Sequence, residues 1–204
     1  MKENGFEYVD LGLPSGTMWA TCNVGATKPE DEGLLFQFGR VDGYKYGDKD
    51  NQFKTTKQNK QDTGDYHIPK TTSGKTYNDD EILDLEDDAA YVHMGGKWRM
   101  PTREQIDELC RNTIHEVKTI NGVQGMMFTS PINWRHLFIP FMQGCWYNGK
   151  WKNWDKSYAL MWSSQVRAHN VLVAYTLSCD YTEYANGDLY SRFYTCYIRG
   201  VFRK

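Results

Sequence analysis

Val171-Leu172-Val173-Ala174-Tyr175-Thr176-Leu177-Ser178-Cys179-Asp180-Tyr181 reads as one long β-strand with two unlike faces. Successive side chains of a strand point to opposite sides. Val171, Val173, Tyr175, Leu177 and Cys179 share a face expected to be buried. Leu172, Ala174, Thr176, Ser178 and Asp180 share the other, whose polar end is expected in solvent. The rest of the chain after residue 113 has the same character. Met126-Met127-Phe128, Leu137 to Phe141, Leu160-Met161-Trp162 and Phe193 to Phe202 are further strand candidates, separated by Gly, Asn and Asp. Near the N-terminus, Phe6 to Val24 alternates short apolar runs with Gly and Pro, as strand, turn, strand. Leu34 to Phe38 reads as a short buried strand.

Two helices are expected. Asp87 to Met94 carries Ala89, Ala90 and Val92 behind a dense acidic start, where carboxylates suit the positive end of a helix dipole. Asp79, Asp80, Glu81, Asp84, Glu86, Asp87 and Asp88 place seven acids in ten residues. No D-x-D-x-D-G loop accompanies them, so a solvated helix start is preferred to a calcium site. The second helix follows Pro101. Thr102 stands three before Gln105, a capping-box spacing, and Ile106, Leu109 and Cys110 form one apolar face. From Tyr44 to about Asp80, Lys, Asp, Thr, Gln and Gly dominate, which reads as a polar surface excursion of one domain spanning residues 1–204. The fold class expected is α+β, with two helices, short antiparallel strands and long loops.

The bulk numbers exclude several classes. With 24 basic and 26 acidic side chains the net charge is -2, without the basic stripe of a general nucleic-acid binder. Lys54 to Lys60 is diluted by Thr, Gln and Asn and reads as a solvated loop. No apolar run approaches the roughly 18 residues of a transmembrane helix, and Met1 to Gly5 lacks a signal-peptide core. Direct membrane insertion is therefore not expected. The five cysteines show no C-x-x-C, and an odd count is not a complete disulfide set. They read as small buried hydrophobes, two of which could pair across neighbouring strands.

Catalytic chemistry is hard to assemble. His67, His93, His115, His136 and His169 lack metal-ligand spacing. G-x-S-x-G, Walker and G-x-G-x-x-G motifs are absent. The expectation is no enzyme, no cofactor and no metal. What stands out is the region from Gly144 to Lys204, at about 144–204, with eight of fourteen tyrosines and four of seven tryptophans among Asn, Asp, Ser, Thr and Arg. Tyr and Trp supply large contact area at little rotamer entropy, and small polar residues supply adaptable hydrogen bonds. Aromatic rings beside polar groups also suit sugars, whose apolar faces stack on rings. Strand cores enrich the same residues, but Tyr181, Tyr184, Asn186, Asp188 and Tyr190 fall in a turn-rich stretch where burial of every ring is not expected.

Tyr8-Val9-Asp10-Leu11-Gly12-Leu13-Pro14-Ser15-Gly16-Thr17-Met18-Trp19-Ala20, with Cys22-Asn23-Val24-Gly25-Ala26, resembles the opening of the major paralogous domain family (FISUMP) of gut and rumen bacteria. Leu85 to Ala90 with Gly95 to Thr102 resembles its central signature. Asn121 to Gly125, Phe138-Ile139-Pro140 and Met161 to Ser164 resemble later landmarks. That family is similar to the variable proteins of diversity-generating retroelements, so the resemblance implies a C-type-lectin-like fold. It implies a framework of Trp162, Ser163, Ala174, Tyr175, Leu177, Arg192 and Arg199. Variable-type, ligand-facing positions are implied at Thr176, Ser178, Asp180, Tyr184, Asp188, Tyr190 and Tyr194. Tyr147, Lys150, Trp151, Asn153 and Asp155 join them from the preceding loop, and the turn adds Tyr181.

The sequence departs from the pattern at Phe141 to Gly144 and in having Cys179 and Cys196 where relatives have aromatics. The triplets of calcium-dependent sugar-binding lectins are absent, as is the paired-cysteine site of formylglycine-generating enzymes. The expected function is an adhesin or receptor-binding protein at a cell surface or on a phage virion. Its expected partner is a host-surface protein or glycan. The alternative is a structural module of a phage particle or cell-surface assembly, with the same aromatics buried in a homo-oligomer.

Overall fold

The computed structural model describes residues 1–53, 70–147 and 149–203. In chain order the elements are β1 (Lys2–Glu3), β2 (Phe6–Asp10), β3 (Thr17–Ala20), β4 (Phe36–Gln37), α1 (Ala89–Met94) and α2 (Arg103–Asn112). Then follow β5 (Ile114–Ile120), β6 (Val123–Thr129), β7 (His136–Pro140), β8 (Met142–Tyr147), β9 (Lys150–Arg167) and β10 (Asn170–Asp180). The chain closes with β11 (Ala185–Ser191), β12 (Thr195–Cys196) and β13 (Val201–Arg203). The stretch Lys54 to Lys60 and His67 lie outside the described residues.

Among the described residues strand accounts for 46% and helix for 9%. The expectation of an α+β, C-type-lectin-like fold is therefore overturned: the protein is β-rich, built from several antiparallel sheets. The physical reason lies in lengths. α1 has six residues and α2 ten, whereas the Val-, Tyr- and Trp-rich C-terminal half runs into strands of 18 and 11 residues, β9 and β10. β-branched and aromatic side chains fit the pleated surface of such strands better than a helix.

Four strands in the order β11-β10-β9-β8 form the largest sheet, and β5-β6-β7 form a three-stranded one. The β5–β6 hairpin closes at Asn121 and Gly122, both with positive φ (49° and 83°), as a two-residue turn of primed type requires. β13 returns beside β3, with Val201 opposite Trp19, so both chain ends share the sheet β1-β2-β3-β13. β12 pairs with β4. Trp19, Trp98, Trp162, Phe36, Phe38, Phe128, Phe141, Tyr77 and Tyr197 are fully buried between these layers. The long C-terminal strands thus divide their aromatics between core and surface.

The α2 capping box forms as the spacing predicts. Thr102 accepts from the Gln105 amide, and Gln105 accepts from the Thr102 amide at 2.9 Å. α2 lies across β9, β10 and β11. Gly187 on β11 allows this approach, because a Cβ there would run into the Asp107 carboxylate.

In the acidic stretch before α1, Asp79, Asp80, Glu81, Asp84 and Glu86 are exposed as expected, but the two acids next to the helix are not. Asp87 and Asp88 are buried. Asp87 accepts from the Ser73 amide (2.7 Å), the Ser73 hydroxyl (2.6 Å) and the Tyr77 hydroxyl (2.7 Å). Asp88 caps α1 by accepting from the Tyr91 amide (2.9 Å) and also takes the Met100 amide (2.9 Å). These carboxylates clamp loops onto α1, and only tertiary partners make their burial tolerable.

Burial raises the Asp88 pKa from 3.8 to about 6. A folded pKa above the unfolded one means that the folded state binds more protons between those values. The contribution of Asp88 to stability is thus full below its ordinary pKa and is lost as pH rises through about 6. Asp88→Asn keeps a capping oxygen but does not titrate. Measured by urea unfolding, the stability gap between wild type and variant should change in the variant's favour by about 2–3 kcal/mol from roughly pH 4 to 7. A gap constant with pH would show that folding does not shift the Asp88 pKa.

Candidate functional site

β8 and β9 form a hairpin whose alternate side chains take part in two aromatic clusters. Trp146 and Trp151 face each other across it, 5.4 Å between ring centres. Trp151 packs on Tyr46 (5.0 Å) and Phe53 (5.9 Å), and its indole donates to the Asp48 carbonyl at 3.2 Å. Tyr44 extends this cluster through Phe53 (4.9 Å). Trp151, expected to face a ligand, is therefore fastened to the 44–53 segment.

The second cluster involves Tyr147 and Trp154 of the same hairpin. Tyr147 stacks on Tyr194 at 4.1 Å and 19°. Tyr194 meets Tyr190 edge to face at 4.9 Å. Trp154 lies 6.1 Å from Tyr194, 6.3 Å from Tyr190 and 6.1 Å from Tyr158. Aromatic pairs at these separations and angles attract beyond their area burial, so each ring limits the freedom of the next. The Lys152 ammonium lies 6.0 Å from the Tyr147 ring centre, at the outer limit of a cation–π contact.

Tyr158 leads to the β10–β11 turn, because it pairs with Asp180 and the neighbouring Ser157 carbonyl accepts the Tyr181 amide at 3.2 Å. At that turn Asp180 accepts from the Thr182 amide (2.8 Å), and its own amide donates to the Tyr184 carbonyl (3.0 Å). Tyr181, Tyr184 and Tyr158 are 60%, 43% and 41% exposed. Tyr147, Trp154, Tyr190 and Tyr194 are half-buried. Burial raises the pKa of the Tyr190 and Tyr194 phenols. Both stay neutral and able to donate near pH 7.

The other expected site residues divide. Lys150, Asn153, Asp155 and Asp188 are exposed. Asn153 and Asp155 hold each other, with the Asn153 amide donating to Asp155 at 2.8 Å. Thr176 and Ser178 are buried instead. Thr176 stands opposite Trp162 on β9 and Asp188 on β11, and Ser178 opposite Leu160 and Asn186. β10 is an inner strand, so from Ala174 to Cys179 nearly every side chain is covered and the expected solvent face disappears. Of the implied framework, Trp162, Ser163, Ala174, Leu177, Arg192 and Arg199 are buried, while Tyr175 is half-buried under Arg103.

Trp154 and Tyr158 were not among the expected site residues. The signal for Trp154 was present: with Lys150 and Lys152 it keeps the period of 2 along β9, offset by one from Trp151. The signal for Tyr158 was not, because Asp155 and Lys156 both take positive φ (51° and 55°) and break that period. A separate exposed apolar pair, Ile132 and Trp134 at 71% each, lies in the β6–β7 turn, where no sequence pattern marked it.

Among the described residues no three His, Cys, Asp or Glu side chains gather as a metal site, and no helix is long and apolar enough to cross a membrane. Beside the second cluster, burial pushes the Cys145 thiol up to about 12 and the Cys196 thiol well above its ordinary value, so neither is a ready nucleophile. The cluster offers ring faces, neutral phenols and a rim of Lys, Asn and Asp, which is the chemistry of contact. No family model, curated protein or solved structure matches this chain.

Proposed function

We propose that this chain is a non-catalytic ligand-binding protein. It recognises a host-surface protein or glycan through the surface running from Tyr147, Tyr194 and Tyr190 over Trp154 and Tyr158 to Tyr181 and Tyr184. One observation carries the reading: five rings drawn from β8, β9, β11 and the β11–β12 turn touch in an unbroken series that ends at the exposed Tyr158, beside the turn that holds exposed Tyr181 and Tyr184. Rings held by their neighbours lose little entropy on binding, and they are the side chains that dominate contact energies. Asn153, Asp155, Asp188 and Lys150 supply polar groups around them. The similarity of the Tyr8–Ala26 and Gly95–Thr102 blocks to the FISUMP family points the same way, toward an adhesin or receptor-binding protein at a cell surface or on a phage particle.

The test is a glycan array together with a panel of host-surface proteins. Wild type is compared with a Tyr158→Ala, Tyr181→Ala, Tyr184→Ala variant, whose replaced rings are the most exposed and the least needed for folding. Binding should fall at least about tenfold with the thermal midpoint unchanged, as expected for losing one or more anchors of 1–2 kcal/mol. Equal binding by both would place the contact surface elsewhere. No binding by wild type, together with an oligomer that covers these rings, would favour a structural module.

A further inference from the structure

All five cysteines carry free thiols, and two of them lie beside the aromatic surface. Tyr147 bridges Tyr194 in the antiparallel sense. One step along, the Trp146 amide donates to Thr195 Oγ1 at 2.8 Å. In an antiparallel pair residue numbers fall on one strand as they rise on the other. Continued one residue beyond this isolated bridge, the same register would set Cys145 opposite Cys196, and β12 does contact β8. Side chains alternate, so both sulfurs are on the side that carries the stacked Tyr147 and Tyr194 rings. Directly opposed Cβ atoms stand about 4.5–5.5 Å apart, and a disulfide spans about 3.5–4.5 Å, so a pair in that register is close to bonding geometry. Both cysteines are fully buried. After burial itself, the neighbouring Cys145 is what raises the Cys196 thiol, and both thiols act on Tyr194.

We propose that Cys145 and Cys196 are a disulfide-forming site, closed when the chain folds in the presence of a disulfide oxidant and locking the base of the aromatic surface. The oxidant is a small-molecule or protein disulfide. One cysteine thiolate attacks it, forming a mixed disulfide and releasing one thiol. The second thiolate then displaces the remaining half. Two S–H bonds are lost, one S–S bond forms, and the oxidant leaves as two thiols carrying both protons and both electrons. Burial keeps the native thiols protonated, so the exchange belongs to the unfolded or partly folded chain, after which the native structure protects either state. Cys110 on α2 and Cys179 on β10 are also neighbours, but no shared strand register aligns them. The site stands whatever ligand the surface takes.

The test compares the wild-type chain with a double variant. The full chain is unfolded in denaturant, refolded in mixed oxidised and reduced glutathione, alkylated, digested and mapped by mass spectrometry. The expected product is a peptide joining Cys145 to Cys196, with a thermal midpoint higher than that of the reduced protein by on the order of 10 °C, since the bridge closes a long loop. A Cys145→Ala, Cys196→Ala variant should lose that oxidant-dependent shift. Five free thiols after oxidative refolding, or bridges joining only other pairs, overturn the proposal. A shift of the same size in the double variant overturns it too.

Discussion

Replacing Trp162 with alanine is expected to lower the unfolding free energy by about 3–5 kcal/mol, the range for deleting a large buried aromatic. The side chain is fully buried. Its indole donates to the Phe36 carbonyl at 2.9 Å, and its ring meets Phe38 edge to face at 5.5 Å. Trp162 therefore joins the centre of β9 to β4, the strand that pairs with β12. It also stands opposite Thr176 in the sheet that carries Trp154, Tyr158 and Tyr190. Trp162→Phe should recover part of the loss by restoring volume, but leaves the Phe36 carbonyl without its donor. Urea unfolding of the three proteins reads this directly. A loss below about 1 kcal/mol for the alanine variant would mean that the β4–β9 junction is dispensable.

Asp87→Ala is expected to cost about 3–5 kcal/mol, because it removes a buried acceptor from three donors, one of them the fully buried Tyr77 hydroxyl. The Tyr77 hydroxyl is the most exposed to this change. It is fully buried, donates to Asp87, and itself accepts from the Asp84 amide at 3.0 Å. Burial first, and then the Asp87 carboxylate, raises its pKa, so ionisation offers it no escape at neutral pH. Tyr77→Phe combined with Asp87→Ala should be less damaging than the sum of the single changes, since each removes what the other leaves unpaired. Hydrogen exchange across residues 71–77 should quicken in Asp87→Ala. Unchanged stability and unchanged exchange would show that the clamp does not hold this segment.

Local chemistry was legible where its range is a few residues. Thr102 and Gln105 mark the start of α2, and Ile106, Leu109 and Cys110 its buried face, because a helix end and a helix face are set within one or two turns. Strand candidates at Met126 to Phe128, Leu160 to Trp162 and Val171 to Cys179 lie in strands, Leu137 to Phe141 does so as far as Pro140, and Phe193 to Phe202 holds only the short β12 and the start of β13. The concentration of Tyr and Trp after Gly144 was equally plain. The fold class was not, because two short helices were visible one by one while the lengths of β9 and β10 depend on their partners. Their own residues favour strand, but their neighbours in the sheet decide that they extend to 18 and 11 positions.

The same division runs through the candidate site. Alternation alone separates Tyr147 from Trp146 and Trp151 from Trp154, but it does not say which member of each pair is covered. Tyr46, Asp48 and Phe53, about a hundred residues away in sequence, cover Trp151, and Tyr194 covers Tyr147. Thr176 and Ser178 carry polar groups suited to solvent, yet an inner strand leaves them none. Asp87 and Asp88 read as charge on a helix start until Ser73, Tyr77, Tyr91 and Met100 arrive as donors. Periodicity, capping and turn chemistry belong to the sequence itself, because they act through neighbouring backbone. Burial belongs to the tertiary structure, because the atoms that exclude water from a side chain come from distant segments.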